Sequence, residues 1–97
     1  MSHDLATEMQ RHYAQPFPES VEKGSEYGEV DAVMIDADIM GWASFVAFGV
    51  RLRGDQRPGL QRAADELERS LGAFPEDARP YYERLLRIAR LALNVRR

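Results

Sequence analysis

The chain has 97 residues, sixteen of them acidic and thirteen basic, for a formal net charge of −3. That length supports one domain, burying roughly 60–70% of its unfolded surface, and excludes dehydrogenase, kinase and α/β-barrel architectures. With no cysteine, a disulfide framework, a zinc–thiolate site and a thiol nucleophile are excluded too, and His3 and His12 are the only histidines.

At the N-terminus, Met1 to Gln10 carries acids and no apolar run, so it does not read as a signal peptide. A short helix is expected near 3–13, capped by Ser2 or Asp4, with Leu5, Met9 and Tyr13 at i, i+4 and i+8 as its apolar stripe. Residues 15–29 follow as a loop or extended acidic arm, expected to drape over the core. Gln15-Pro16-Phe17-Pro18 favours extended backbone, and Glu19 to Gly28 holds two glycines and three acids. The organisation expected is therefore a short helix and arm over 1–29 and a helical core over 30–97.

Val30 to Ile35 shows no clean alternation, and six residues do not decide between helix and strand. A helix is expected over 36–51, with Asp36 or Asp38 as cap. Ile39, Trp42, Val46 and Gly49 share one face, and Phe45 and Phe48 extend the apolar arc around nearly the whole circumference. A helix apolar all round is normally the most buried one. Its apolar run, Ile39 to Val50, is interrupted by glycines and a serine and falls about eight residues short of the ~20 needed to span a bilayer. Gly41 and Gly49 each weaken it by up to ~1 kcal/mol relative to alanine, which suits a site where another backbone approaches closely.

Two clearer helices complete the chain, near 57–73 and 77–95. Leu60, Ala63, Ala64, Leu67, Leu71 and Phe74 form the apolar side of the first, opposite Arg62, Asp65, Glu66, Glu68 and Arg69, with Asp65–Arg69 as an i,i+4 pair. The second repeats a helical period through Tyr81, Tyr82, Leu85, Ile88, Ala89, Ala92 and Leu93. Both open alike, on Asp55-Gln-Arg57-Pro58 and Asp77-Ala-Arg79-Pro80. Two separate uses of one start signal account for this echo better than a duplication does. The fold class expected is all-α: a small bundle of three main helices plus a short N-terminal helix and the acidic arm.

Ala32-Val-Met-Ile-Asp36-Ala-Asp38, a hydrophobic run ending in Asp-x-Asp, resembles the nucleophile strand of haloacid-dehalogenase phosphatases. The resemblance implies an attacking Asp36, a proton-handling Asp38 and a bound Mg²⁺. The sequence departs from that pattern. Met40 stands where a hydroxyl residue is usual, and Lys23, the only lysine, lies upstream of the motif and not downstream. The chain is also too short for the α/β sheet. Asp36 and Asp38 read instead as an acidic helix N-terminus, and as weak metal candidates at most. No cofactor motif occurs, since Gly24-Ser-Glu-Tyr-Gly28 lacks the spacing and the lysine of a phosphate loop. His12 and Ser44 have no catalytic companion nearby in sequence.

Charge is unevenly placed. Residues 1–38 hold nine acids and two bases, a net of −7, and residues 39–97 hold seven acids and eleven bases, a net of +4. Arg84, Arg87 and Arg90 form a basic surface stripe about 8–9 Å long, with Arg79, Arg96 and Arg97 nearby and Arg51, Arg53 and Arg57 as a second cluster. A phosphate backbone suits such a stripe, but the negative net charge disfavours nucleic acid. Three functions are expected from these features. The first is a non-enzymatic protein, bacterial and cytoplasmic, that homo-oligomerises or binds a protein partner through Trp42, Phe45 and Phe48. The second is a small-molecule binder whose interhelical pocket is lined by Trp42, Tyr81 and Tyr82. The third is a nucleic-acid contact through the arginine stripe.

Overall fold

A computed structural model describes residues 4–95. It is an all-α bundle: α1 (Leu5–Ala14), α2 (Ala32–Ala47), α3 (Gln56–Ser70) and α4 (Arg79–Asn94), with a two-residue hairpin, β1 (Glu26–Tyr27) and β2 (Val30–Asp31), leading into α2. Ser2 and His3, and Arg96 and Arg97 of the basic cluster, lie outside the described residues. Among the described residues no helix is long and apolar enough to cross a membrane.

Asp4 caps α1, accepting from the Thr7 amide at 2.8 Å. The buried residues of α1 are Leu5, Glu8, Met9 and His12, and Tyr13 is exposed. This corrects the expected Leu5–Met9–Tyr13 stripe. At 3.6 residues per turn, i+7 returns to within about 20° of its starting direction, whereas i+8 drifts by about 80°. The arm drapes over the core, with Val21 buried in it and Tyr27 stacked on Phe74, ring centroids 4.8 Å apart. Tyr27 pairs with Val30 across a two-residue turn in which Gly28 has φ +64°, as expected for a glycine opening a hairpin turn.

The second helix starts at Ala32, not at Asp36, and ends at Ala47, not at Arg51. Asp31 is the cap, its Oδ1 accepting from the Val33 and Met34 amides, so Asp36 and Asp38 fall inside the helix. Gly49, with φ +82°, turns the chain away after the last turn. Helices α3 and α4 are joined through two single 3₁₀ turns, Leu71–Ala73 and Glu76–Ala78. Neither Asp55 nor Asp77, the aspartates of the shared opening, caps its helix through its side chain. Asp55 makes no capping bond, and Ala78 holds the cap position of α4.

The central element is α4, which packs on α1, α2 and α3. It buries Tyr82, Leu85, Ile88 and Ala89 completely. Against it α2 sets Ala32, Ile35, Ile39, Ala43 and Val46, and α3 sets Leu60, Ala64 and Leu67. The expectation that the apolar α2 would be the most buried helix is therefore corrected. A chain this short has too few elements to cover every side of α2, and one face stays outside.

Candidate functional site

That outer face is a single stripe. Met34, Ala37, Asp38, Gly41, Phe45 and Phe48 all project within about 60° of Gly41 at 100° per residue, and all are exposed. Phe48 is 84% exposed, Met34 55% and Phe45 44%, and Val33 and Val50 extend the patch at its edges. Large apolar side chains displayed contiguously are unusual on a monomer surface and mark contact sites. A Cβ built on Gly41 would meet nothing within 4 Å. Trp42 points elsewhere. It is half-buried, and a Cβ on Gly59 would come within 3.0 Å of its Cζ2, so the indole lies on the first turn of α3. Of the three residues expected to make one contact face, Phe45 and Phe48 share it and Trp42 covers α3.

Behind the N-terminal half of α2 lies a polar cluster that joins three helices. Asp36 Oδ1 is 2.8 Å from His12 Nε2, and Asp36 Oδ2 accepts from the Tyr81 hydroxyl at 2.5 Å. A carboxylate only accepts, so Nε2 carries the hydrogen. The His12 ring leans on Tyr81 at 4.4 Å between centroids, and its buried Nδ1 has no hydrogen-bond partner among the described residues. Burial first, and the bond to Asp36 next, push the Tyr81 phenol well above its ordinary value. Tyr82 is also held up, by burial and then by the nearby Asp36 charge. An open depression of about 310 Å³ adjoins the cluster, walled by Tyr13, Gln15, Val33, Ala37 and Met40.

Asp36 and Asp38 do not converge on a metal. They lie about 200° apart on the helix, Asp36 facing His12 and Tyr81 and Asp38 facing outward. Among the described residues no group of three or more histidine or acidic side chains is placed to hold a metal ion. The segment that resembled a phosphatase nucleophile strand is helical from Ala32 onward, which removes the strand-end geometry that chemistry needs.

Tyr82 is a core residue. It is fully buried, stacks on Phe74 at 3.9 Å and donates to the Ala32 carbonyl at 2.9 Å, so it faces neither depression nor surface. Trp42 lines neither cavity found among the described residues. The larger, about 480 Å³, lies between the end of α2 and the end of α4, where Arg57 donates to the Leu93 carbonyl at 2.6 Å and caps that helix.

The arginine stripe is engaged from within. Buried Glu8 lies 3.2 Å from Arg11, 3.5 Å from Arg87 and 3.9 Å from Arg84, while Arg84 also donates to Gln15 Oε1. Arg90 holds Glu68 at 2.5 Å and Asp65 at 3.2 Å. Arg69 is bidentate on Glu29, both bonds 2.8 Å, and so does not form the expected pair with Asp65. That fork holds the Glu29 carboxyl below its usual range. Arg51 and Arg53, by contrast, are exposed and form no ion pair among the described residues.

Compared with known proteins, the chain matches no protein-family model, no curated protein and no solved structure.

Proposed function

We propose that the protein is non-enzymatic and works by protein–protein association, burying the outer face of α2 against another protein surface. The observation that carries this reading is the contiguous exposure of Met34, Phe45 and Phe48 on a helix whose opposite side is fully packed. Leaving such a face in water forgoes about 25 cal/mol for each Å² of apolar surface that a partner would cover. At the end of that face Arg51 and Arg53 are placed to steer an encounter, whereas Arg84, Arg87 and Arg90 already hold acids of their own chain. Steering of this kind raises on-rate and fixes orientation more than it adds affinity.

The test uses the absence of native cysteine. In the cells that make the protein, at native abundance, Phe48→Cys should react with a permeant maleimide at least tenfold more slowly than Arg62→Cys on the polar side of α3. After denaturation the two should react alike. Equal rates in the native cells would refute association through this face.

A further inference from the structure

We propose that the occupant of the α2 face is α2 of a second copy of this chain, packed antiparallel on a two-fold axis through Gly41. The proposal rests on the association reading above and names its partner.

Three observations carry it. Gly41 sits in mid-helix, in a position where nothing among the described residues needs a glycine. Its φ is not positive, and a Cβ there would meet no atom of the described residues within 4 Å beyond its own turn of helix. The fold therefore bears glycine's helix-propensity penalty with no internal return. A glycine on an exposed apolar stripe permits close approach of a helix from outside.

The stripe is also complementary to itself about that residue. In a two-fold pair centred on Gly41, residue 41+k faces residue 41−k of the other copy, as an isologous interface requires. Phe45 then lies over Ala37, large against small, and Phe48 meets Met34, ring against thioether. Ser44, whose hydroxyl donates to the Met40 carbonyl of its own helix at 2.7 Å, falls at the level of Asp38, the one carboxylate on the stripe.

Charge selects the direction. Asp31 precedes α2 and Asp38 lies in its N-terminal half, while Arg51 and Arg53 follow its C-terminal end, exposed and in no ion pair among the described residues. Antiparallel packing sets the acidic end of each helix beside the basic end of the other and opposes the two helix dipoles. Parallel packing would place acid on acid and base on base.

The experiment combines mass with register. Sedimentation equilibrium of the purified chain should give twice the chain mass at micromolar concentration, and Gly41→Leu should weaken the dimer at least tenfold without loss of helical circular dichroism. Under mild oxidation, Asp38→Cys mixed with Ser44→Cys should cross-link at least tenfold more than either variant alone. Cross-linking of each variant with itself would overturn the antiparallel register. So would a dimer that Gly41→Leu leaves intact. A wild-type chain that stays monomeric at hundreds of micromolar would overturn the second copy as occupant. The maleimide protection of Phe48→Cys would still report separately on whether any partner covers the face.

Discussion

At the residue scale, the cluster that could not be read from the sequence is His12–Asp36–Tyr81. Its members are 24 and 45 residues apart and come from α1, α2 and α4. No local pattern marks them as a unit. The one usable signal was periodicity: His12 at i+7 from Leu5 lies nearer the buried direction than Tyr13 at i+8. The cluster gives a pH prediction with a definite sign. A phenol that ionises near 10 in the unfolded chain and higher in the folded one binds its proton more tightly when native. Its contribution to stability is thus complete below about pH 10 and is lost as pH rises beyond it. Tyr81 and Tyr82 should each steepen the loss by up to about 1.4 kcal/mol per pH unit. Tyr81→Phe should cost about 1–3 kcal/mol at neutral pH, because Asp36 loses a donor, and should flatten the alkaline limb. Urea midpoints at pH 7, 9 and 11 check both effects, and equal slopes in the two proteins would refute the assignment.

At the element scale, the all-α class and the apolar faces of α3 and α4 were legible, because long periodic segments carry their own evidence. The start of α2 was not. Val30 and Asp31 belong to a hairpin strand, and the helix begins on the next residue. Val30–Ile35 reads as neither helix nor strand because it contains the junction between them. The exposed Phe45 and Phe48 were nameable as contact candidates, while the inward turn of Trp42 depends on Gly59, seventeen residues further along and on another helix. The junction itself hangs on Gly28. Its φ of +64° disfavours a side chain, and an added Cβ would come within 2.7 Å of Ser70 Oγ and 2.8 Å of Ser70 Cβ. Ser70 in turn accepts the Glu29 amide at 2.9 Å, tying the hairpin to the end of α3. Gly28→Ala should therefore destabilise the fold by more than about 1 kcal/mol, the left-handed penalty alone, with the clash and the strained Glu29–Ser70 bond added. Gly24→Ala, also at positive φ but with open space around it, should cost only the backbone part. Thermal melts of the pair separate the two contributions, and equal losses would show that Ser70 yields freely.

At the scale of the whole molecule, the split of charge into −7 and +4 favours attraction between front and rear, within one chain or between chains. The structure realises part of it, through Glu8 with Arg84 and Arg87 and through Glu29 with Arg69. What composition did not convey is that these pairs overlie a shared apolar core. Leu5, Met9 and Val21 belong to the same buried cluster as Leu85, Ile88 and Phe74, and an aromatic series runs from Tyr27 through Phe74, Tyr82 and Tyr81 to Phe17. The exposed Glu29–Arg69 pair is worth about 0–1 kcal/mol, and buried Glu8 pairs with arginines that stay partly in water, too little together to hold an arm whose ordering costs on the order of 1 kcal/mol per residue. Burial must therefore do most of the holding. It follows that a chain beginning at Val30 should not be a trimmed but intact bundle. It should expose the surfaces of α2 and α4 that Leu5, Met9 and His12 cover, leave Tyr81 without His12 against its ring, and bind an apolar dye such as anilinonaphthalene sulfonate. Its melting transition should broaden or vanish. The charge contribution is separable: Glu8→Gln in the full chain keeps the apolar contacts and should lower the melting temperature by only a few degrees, with a cooperative transition retained. If the truncated chain melted as sharply as the full one and bound no dye, the arm would be held by its charges alone, and the packed aromatic series would contribute nothing to the fold.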